Sequence, residues 1–219
     1  MALNKLKYNS LNLTPAANKA IGFDSDADAL EATLSGGSMT FIKKLTASSS
    51  STLSFVDGSS DVVLDSTYKE YIFMFRDIHP SGDGAHFSFN FSVDGGSNYN
   101  VTKTSTMFYA RHDEADSATA LNYNTSGDIA QGTGIQTFAR SLGNDNDASA
   151  GGFLHLFEPS STTFVKHYKG TVNYLEANDY TYNTFLAGYG NTTSAIDAVQ
   201  FKCDSGNIDA GTITLYGIN

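Results

Sequence analysis

The clearest hydrophobic pattern in the chain is a two-residue alternation over residues 86–93. Apolar and polar side chains alternate without interruption, in the order Phe87, Ser88, Phe89, Asn90, Phe91, Ser92, Val93. Successive side chains of a β-strand point to opposite faces of the sheet. The pattern therefore predicts a half-buried strand whose apolar residues face a core and whose Ser and Asn side chains face solvent.

Short apolar runs separated by Gly, Ser, Asn and Asp continue through most of the sequence. They predict further strands at 40–46, 52–56, 69–78, 105–110, 134–139, 153–157, 163–174, 180–187, 198–203 and 212–216. Many short strands between turn signals are typical of a sandwich. We therefore predict that residues 39–219 form an all-β, antiparallel, jelly-roll-like β-sandwich. The residues predicted for its core are Phe87, Phe89, Phe91, Phe153, Phe157, Val199 and Phe201.

Turn-forming dipeptides set the predicted strand boundaries. Asp94-Gly95 is the strongest of them, because this pair adopts the positive φ angles of a tight hairpin turn. Two polar stretches, 111–134 and 141–152, exceed ordinary hairpin loops in length and are expected at the ends or edges of the sheets.

Residues 1–38 differ from the rest in composition. They are rich in Asn, Ala, Asp and Ser and end in Gly36-Gly37. We predict an extended N-terminal arm, with a short helical turn over 15–20 capped by Thr14. Scattered apolar residues in the arm would dock on a partner, and the predicted docking set is Leu6, Tyr8, Leu11, Leu13, Ile21 and Phe23.

Composition and charge narrow the possible partners. The 219 residues include 15 Phe, 12 Tyr and 20 Gly but only 16% charged residues, which favours strands over solvated helices. The net charge of -10 argues against a nucleic-acid partner, because a phosphate backbone requires a basic surface. No apolar run is long enough to span a bilayer, and no secretory signal is evident, so we predict no membrane insertion.

Metal-binding patterns in the sequence are incomplete. The acidic string 24–28 with Glu31 starts like a calcium loop, but Ala29 and Ser35 stand where glycine and a bidentate glutamate are needed. A second acidic cluster contains Asp145 and Asp147. The five histidines, His79, His86, His112, His155 and His167, lack the close spacing of a zinc site. We predict neither a metal ion nor a cofactor.

Catalytic patterns are also weak. No Gly-x-Ser-x-Gly motif is present, and Cys203 lies in a strand pattern with Val199 and Phe201 that predicts a buried thiol. The carboxylate pairs Asp113 with Glu114 and Glu176 with Asp179 are close in sequence, which does not establish a separation suited to hydrolysis. We therefore predict that the protein is not an enzyme.

Several tyrosines lie in surroundings rich in Asn, Asp and Gly. They are Tyr99, Tyr123, Tyr174, Tyr180, Tyr182 and Tyr189. Tyrosine offers a rigid ring with a polar tip, so such residues can stack on sugar rings or form a protein interface. About half of these tyrosines are expected at a surface contact, and the others would serve ordinary sheet packing.

Five phrases of the sequence resemble virion structural proteins of marine tailed bacteriophages, including cyanophages. They are residues 6–17, 47–55, 64–73, 94–99 and 206–217. The resemblance extends over almost the whole chain and contains no catalytic motif. It implies a sandwich module on a capsid surface or in a tail fibre, assembled in the cytoplasm of the host bacterium and carried in the virion.

Three functions follow as expectations. The first is a capsid decoration or cement protein, a homotrimer whose arm lies along the major capsid protein or other virion proteins. The second is a tail-fibre, head-fibre or receptor-binding component that contacts host surface glycan or an outer-membrane protein. The third, and weakest, is a glycan-degrading enzyme.

Overall fold

The structure is a computed structural model that describes residues 20–23, 30–33 and 38–218. All regular structure in these residues is antiparallel β-strand, and none of them lies in a helix. The all-β prediction is therefore confirmed. Within the described residues there is accordingly no helix with the length and hydropathy needed to cross a membrane. The chain divides into two units, residues 1–38 and residues 39–219.

The strands are numbered in chain order. They are β1 Ala20–Phe23, β2 Leu30–Thr33, β3 Met39–Thr46, β4 Leu53–Val56, β5 Glu70–Pro80, β6 Ala85–Ser92, β7 Lys103–Asp113, β8 Thr119–Tyr123, β9 Gln136–Leu142, β10 Ala150–Phe157, β11 Lys166–Glu176, β12 Tyr180–Gly190, β13 Ala198–Cys203 and β14 Ile208–Ile218.

The first unit contains one antiparallel pair, β1 with β2. The pairing runs from Ala20 opposite Thr33 to Phe23 opposite Leu30. Part of the region predicted to be extended is thus a paired ladder. The predicted helical turn falls mostly on 15–19, outside the described residues, while its last position, Ala20, begins β1.

The second unit is a 12-stranded antiparallel sheet that is nearly closed into a barrel. Its main path is β3-β14-β5-β10-β11-β9-β6-β13-β4, and β12, β7 and β8 extend it from β11. The link between β11 and β9 is a single residue pair, Glu176 with Leu142. Eight strands therefore lie on one side of this link and four, β9, β6, β13 and β4, lie on the other.

Aromatic side chains fill the space between the two sides. Phe75 on β5 lies 5.3 Å from both Phe87 on β6 and Phe201 on β13, measured between ring centroids. Phe89 on β6 lies 5.5 Å from Tyr168 on β11. Five of the seven predicted core residues are confirmed as fully buried: Phe87, Phe89, Phe91, Val199 and Phe201.

The other two core predictions, Phe153 and Phe157, are wrong. Phe153 is 37% exposed and Phe157 is half-buried. The neighbouring Leu154 and Leu156 are fully buried instead. Both faces of β10 carry apolar residues, so the sequence of the strand does not tell which face is inside. Val93 is also exposed, because β6 ends at Ser92 before reaching it.

The polar face of β6 is covered, which the alternation did not predict. Ser88, Asn90 and Ser92 are all buried. Asn90 Nδ2 donates to the carbonyls of Tyr99 and Thr133, so the chain segments on either side of β7 and β8 lie against this face. These hydrogen bonds replace the ones that the Asn90 side chain would make with water if it were exposed.

Two predictions about connections are also corrected. Asp94-Gly95 makes a turn with positive φ at glycine, but β6 pairs with β9 and β13 rather than with the next strand, so it is not a hairpin. The stretch 111–134 lies at the edge of the sheet, as predicted, but it is not all loop, because it contains the end of β7 and all of β8. The polar strand β8 pairs only with β7, at the edge of the sheet.

Candidate functional site

A row of exposed aromatic side chains crosses the outer face of the sheet. Phe153 is opposite Thr171, Thr171 opposite Phe185, Phe185 opposite Phe108, and Phe108 opposite Tyr123. Directly opposed residues of a sheet point to the same face. We call Phe153, Phe185, Phe108 and Tyr123 the aromatic row. Their exposed fractions run from 36% to 53%.

The aromatic row borders one shallow apolar depression, which shares Thr106, Lys169 and Ala187 with a second. The first has a volume of about 330 Å³ and is lined by Phe153, Phe185 and Phe108. The second has a volume of about 450 Å³ and is lined by Phe157 and Tyr189. Phe108 and Phe185 stack with a centroid distance of 4.8 Å beside the first depression. Contiguous exposed apolar surface of this kind marks interaction sites in soluble proteins.

The charged groups beside the row include Lys169, Glu70 and Asp128, which accepts from the Tyr123 hydroxyl. Lys169 Nζ lies 5.5 Å from the ring centroid of Phe157, a cation–π arrangement. Burial lowers the pKa of His155, and Lys169 adds to that effect, while Glu70 opposes it. The His155 Nδ1 to Glu70 Oε2 distance is 3.8 Å. The face therefore combines apolar rings with a lysine in a chain of net charge -10.

A second site lies where β7, β9, β11 and β12 meet. It is a polar pocket of about 170 Å³. Its lining comprises three tyrosines and four other polar residues, namely Tyr109, Tyr174, Tyr182, Asn124, Arg140, Ser141 and Glu176. We call it the Tyr–Arg pocket. It is smaller than the usual pocket for a drug-sized ligand and corresponds to about six water molecules.

Tyrosine rings form the central wall of the Tyr–Arg pocket. Tyr182 stacks on Tyr174 at a centroid distance of 5.4 Å and packs against Tyr109 at 5.0 Å. Tyr174 is buried, and its hydroxyl accepts a hydrogen bond from the Arg140 backbone N–H. Burial raises the pKa of Tyr174 to about 12. Its hydroxyl therefore remains protonated through the neutral range.

A β-bulge places Arg140 and Ser141 at the pocket. Ala85 pairs with Leu142 and Phe87 with Ala139, so two residues of β9 oppose His86 alone. Ser141 has a φ of 50°, in the left-handed region that non-glycine residues seldom adopt. Its N–H donates to His86 Nδ1. Bulges of this kind redirect side chains and are frequent beside functional sites.

Arginine side chains are held in fixed positions around these tyrosines. Arg140 Nη1 donates to Asn124 Oδ1 at 2.9 Å and to Ser126 Oγ at 3.3 Å. Arg111 Nη1 donates to the Tyr182 hydroxyl at 2.9 Å, and this hydrogen bond raises the Arg111 pKa. The Arg111 guanidinium also lies 4.8 Å from the ring centroid of Tyr180.

Two lysines are buried on either side of Gly190. Lys166 pairs with Gly190 on β12, and Gly190 pairs with Lys103 on β7. Lys103 Nζ donates to Asn90 Oδ1 and to the Val101 carbonyl. Burial lowers the pKa of Lys103 from 10.5 to about 8 and also lowers that of Lys166. Neither forms a salt bridge with a carboxylate of the described residues.

Most of the predicted docking residues lie outside the described part of the chain. This applies to Leu6, Tyr8, Leu11 and Leu13. Ile21 and Phe23 lie on β1, opposite Ala32 and Leu30. Their role in docking stays a prediction.

Several of the candidate metal and catalytic residues serve local structure. Among residues 38–218, no group of three or more His, Cys, Asp or Glu side chains is placed to hold a metal ion. The string 24–28 lies outside the described residues. The Asp113 carboxylate accepts from the Ser117 and Ala118 N–H groups, and that of Glu176 accepts from Asn178. Cys203 is confirmed as buried, and burial raises its pKa to about 11.

Three of the six tyrosines singled out in the sequence lie in the two sites, and Tyr99, Tyr180 and Tyr189 lie in neither. Tyr123 belongs to the aromatic row, and Tyr174 and Tyr182 belong to the Tyr–Arg pocket. Sequence reasoning missed Tyr109 and Arg140. No local signal marks Arg140, because the bulge that positions it depends on the register between β6 and β9.

Comparisons with protein-family models, with curated proteins and with solved structures found no match. A functional assignment therefore rests on the strand order of the second unit and on the geometry of the two sites.

Proposed function

We propose that this chain is a non-enzymatic structural protein of a bacteriophage virion, a decoration or cement protein on the head surface. Its second unit is a jelly-roll sandwich, and the aromatic row is the surface by which it contacts a neighbouring protein of the assembled particle. Strand order is the observation that carries the proposal.

The strand order fits a jelly roll, which has eight strands in two sheets. β3, β14, β5 and β10 are neighbours on one side of the sheet, and β4, β13, β6 and β9 on the other. When β7, β8, β11 and β12 are left out, eight strands remain. The first group then holds the first, eighth, third and sixth of them in chain order, and the second group holds the second, seventh, fourth and fifth. This order matches that of jelly rolls, which are found in viral capsid and lectin domains. The pairs β7–β8 and β11–β12 are then insertions that widen one sheet.

The aromatic row supports a docking role. An isolated soluble domain gains nothing from exposing Phe108 and Phe185 side by side, because burying the 42% and 36% that remain exposed would stabilise it by about 0.5–1 kcal/mol for each residue. Covering the row with a partner recovers that free energy. Phe and Tyr are also the residues enriched at the centres of protein interfaces.

Fractionated virions provide the first test. Phage particles that carry this protein are separated into heads and tails, and its copy number in each is measured by quantitative mass spectrometry, with the major capsid protein as the head marker. The proposal predicts many copies on heads. A few copies confined to tails would favour the alternative below, and absence from purified particles would refute both.

A paired variant tests the aromatic row. The double variant Phe108→Ser with Phe185→Ser should keep the melting temperature within a few degrees but lose binding to undecorated heads. The control is Phe164→Ser, since Phe164 is 65% exposed and lies outside the aromatic row. Equal loss of binding in the control, or full binding by the double variant, would count against the row as the contact surface.

The alternative is a tail-fibre, head-fibre or receptor-binding component. The Tyr–Arg pocket favours it, because three tyrosines, an arginine and an amide around a small polar cavity suit recognition of a host surface ligand better than they suit attachment to a capsid.

A further inference from the structure

We infer that the Tyr–Arg pocket binds a single pyranose residue of a glycan. The inference goes beyond the proposed function, because it concerns a ligand and holds for either location in the virion. Its basis is the size of the pocket, the arrangement of its rings and its hydrogen-bonding groups.

Size comes first. At about 170 Å³ the cavity takes about six water molecules' worth of volume. This is too little for a nucleotide or a peptide of several residues, whose pockets are typically larger. One six-membered sugar ring with its hydroxyls is a ligand of the right scale.

Tyr109 supplies a platform for such a ring. Tyr182 is stacked on Tyr174 and packed against Tyr109, whereas Tyr109 is half-buried and lines the pocket, so it is the ring left to pack on a ligand. The carbon–hydrogen face of a pyranose is apolar and packs on an aromatic ring, whereas its edge needs polar partners. Tyrosine suits this division because its ring is apolar and its tip polar.

The polar lining supplies partners for ring hydroxyls. Arg140 carries five N–H donors, and its two hydrogen bonds to Asn124 and Ser126 both use Nη1. The remaining guanidinium N–H groups can donate to sugar oxygens. Among the described residues Glu176 accepts only from Asn178, with two hydrogen bonds at Oε2 and one at Oε1, so Oε1 has a second acceptor site for a sugar hydroxyl. A sugar hydroxyl both donates and accepts hydrogen bonds, and the pocket offers Arg140 as a donor and Glu176 as an acceptor.

The backbone of β9 is strained at this position. Ser141 is one of nine described non-glycine residues with positive φ, and it is the one in the bulge that lines the pocket. Left-handed backbone at a non-glycine residue costs about 1–3 kcal/mol and tends to be retained at ligand sites. Asn124 is 5% exposed and holds Arg140 in place, so the donor is fixed before a ligand arrives.

Saturation-transfer NMR on the full chain, with backbone amide shift mapping, tests the inference. The probes are methyl α-D-glucopyranoside, methyl α-D-galactopyranoside, N-acetyl-D-glucosamine and D-glucuronate, with sodium acetate as an anion control. At least one pyranose should bind saturably and shift the backbone amides of Asn124 and Ser141. If no sugar binds, or if acetate displaces the sugar at equal concentration, the inference is refuted, the latter result indicating a simple anion site.

Variants locate the binding. Arg140→Ala and Tyr109→Ala should each weaken sugar binding by about tenfold or more, since each removes a hydrogen-bonding or stacking partner. The controls are Arg76→Ala and Tyr189→Phe, which lie outside the pocket. Unchanged affinity in both pocket variants would refute the site. If Arg140→Ala fails to fold, the amide shifts of the unaltered chain still test the site. Sugar-induced shifts confined to amides outside the Tyr–Arg pocket would refute the inference.

Discussion

The buried lysine Lys103 gives the sharpest test of how this fold responds to pH. Its side chain is fully buried, and Nζ lies 2.6 Å from Asn90 Oδ1 and 2.9 Å from the Val101 carbonyl oxygen. Both partners are neutral, and no carboxylate of the described residues forms a salt bridge with it. A charged ammonium in this position is therefore only partly compensated for the loss of water.

The sign of the effect follows from the direction of the pKa shift. Burial lowers the pKa of Lys103 from 10.5 to about 8 in the folded protein. Below the folded pKa the lysine is charged in both states, and the full cost of burying the charge is present. Between about pH 8 and pH 10.5 the folded protein releases the Lys103 proton while the unfolded chain keeps it, so the free energy of unfolding rises with pH. The shift corresponds to about 3 kcal/mol.

Urea unfolding followed by far-UV circular dichroism measures this cost. The comparison is between the unaltered chain and Lys103→Met, over a pH range from about 7 to 10.5. Other titrating groups are common to both proteins and cancel in the difference. The free energy of unfolding of the unaltered chain should rise relative to Lys103→Met by about 3 kcal/mol as the pH increases. Asn90 Oδ1 keeps a partner in the variant, the Phe91 N–H.

The control is Lys44→Met, because Lys44 is exposed on β3. Its difference from the unaltered chain should not change with pH. A flat difference for Lys103→Met would mean that the Lys103 ammonium is solvated. A difference that falls as the pH rises would mean that the charged form is stabilised by an anionic partner. Either result would refute the reasoning.

Three further predictions concern packing and domain organisation. Phe87→Ala should lower the free energy of unfolding by about 3–5 kcal/mol and Phe153→Ala by much less, in the same urea assay, because only the first ring is fully buried. Gly170→Ala should cost about 1–3 kcal/mol, because its Cβ would clash with the Phe153 carbonyl oxygen, whereas Gly151→Ala has room and should be nearly neutral by thermal melting. Deleting residues 1–38 should leave the melting temperature nearly unchanged and abolish incorporation into virions. A deletion variant that fails to fold, or that still decorates particles fully, would contradict that division of roles.

Local pattern determined the strands that have one apolar face. The alternation through Phe87, Phe89 and Phe91 fixes which side of β6 is inside, because a shift by one residue would expose all three rings. The same holds for Val199 and Phe201 on β13. Where both faces of a strand are apolar, as on β10, the pattern is silent, and the side predicted for Phe153 is therefore wrong.

Strand pairing and the two sites were decided only by the tertiary structure. Asp94-Gly95 turns the chain, but β6 pairs with strands much further along it, namely β9 and β13. Asn90 is buried because distant segments supply the carbonyls of Tyr99 and Thr133. The aromatic row and the Tyr–Arg pocket likewise join residues from several strands. Register between distant strands depends on the free energy of the whole sheet, so no local run of residues contains it.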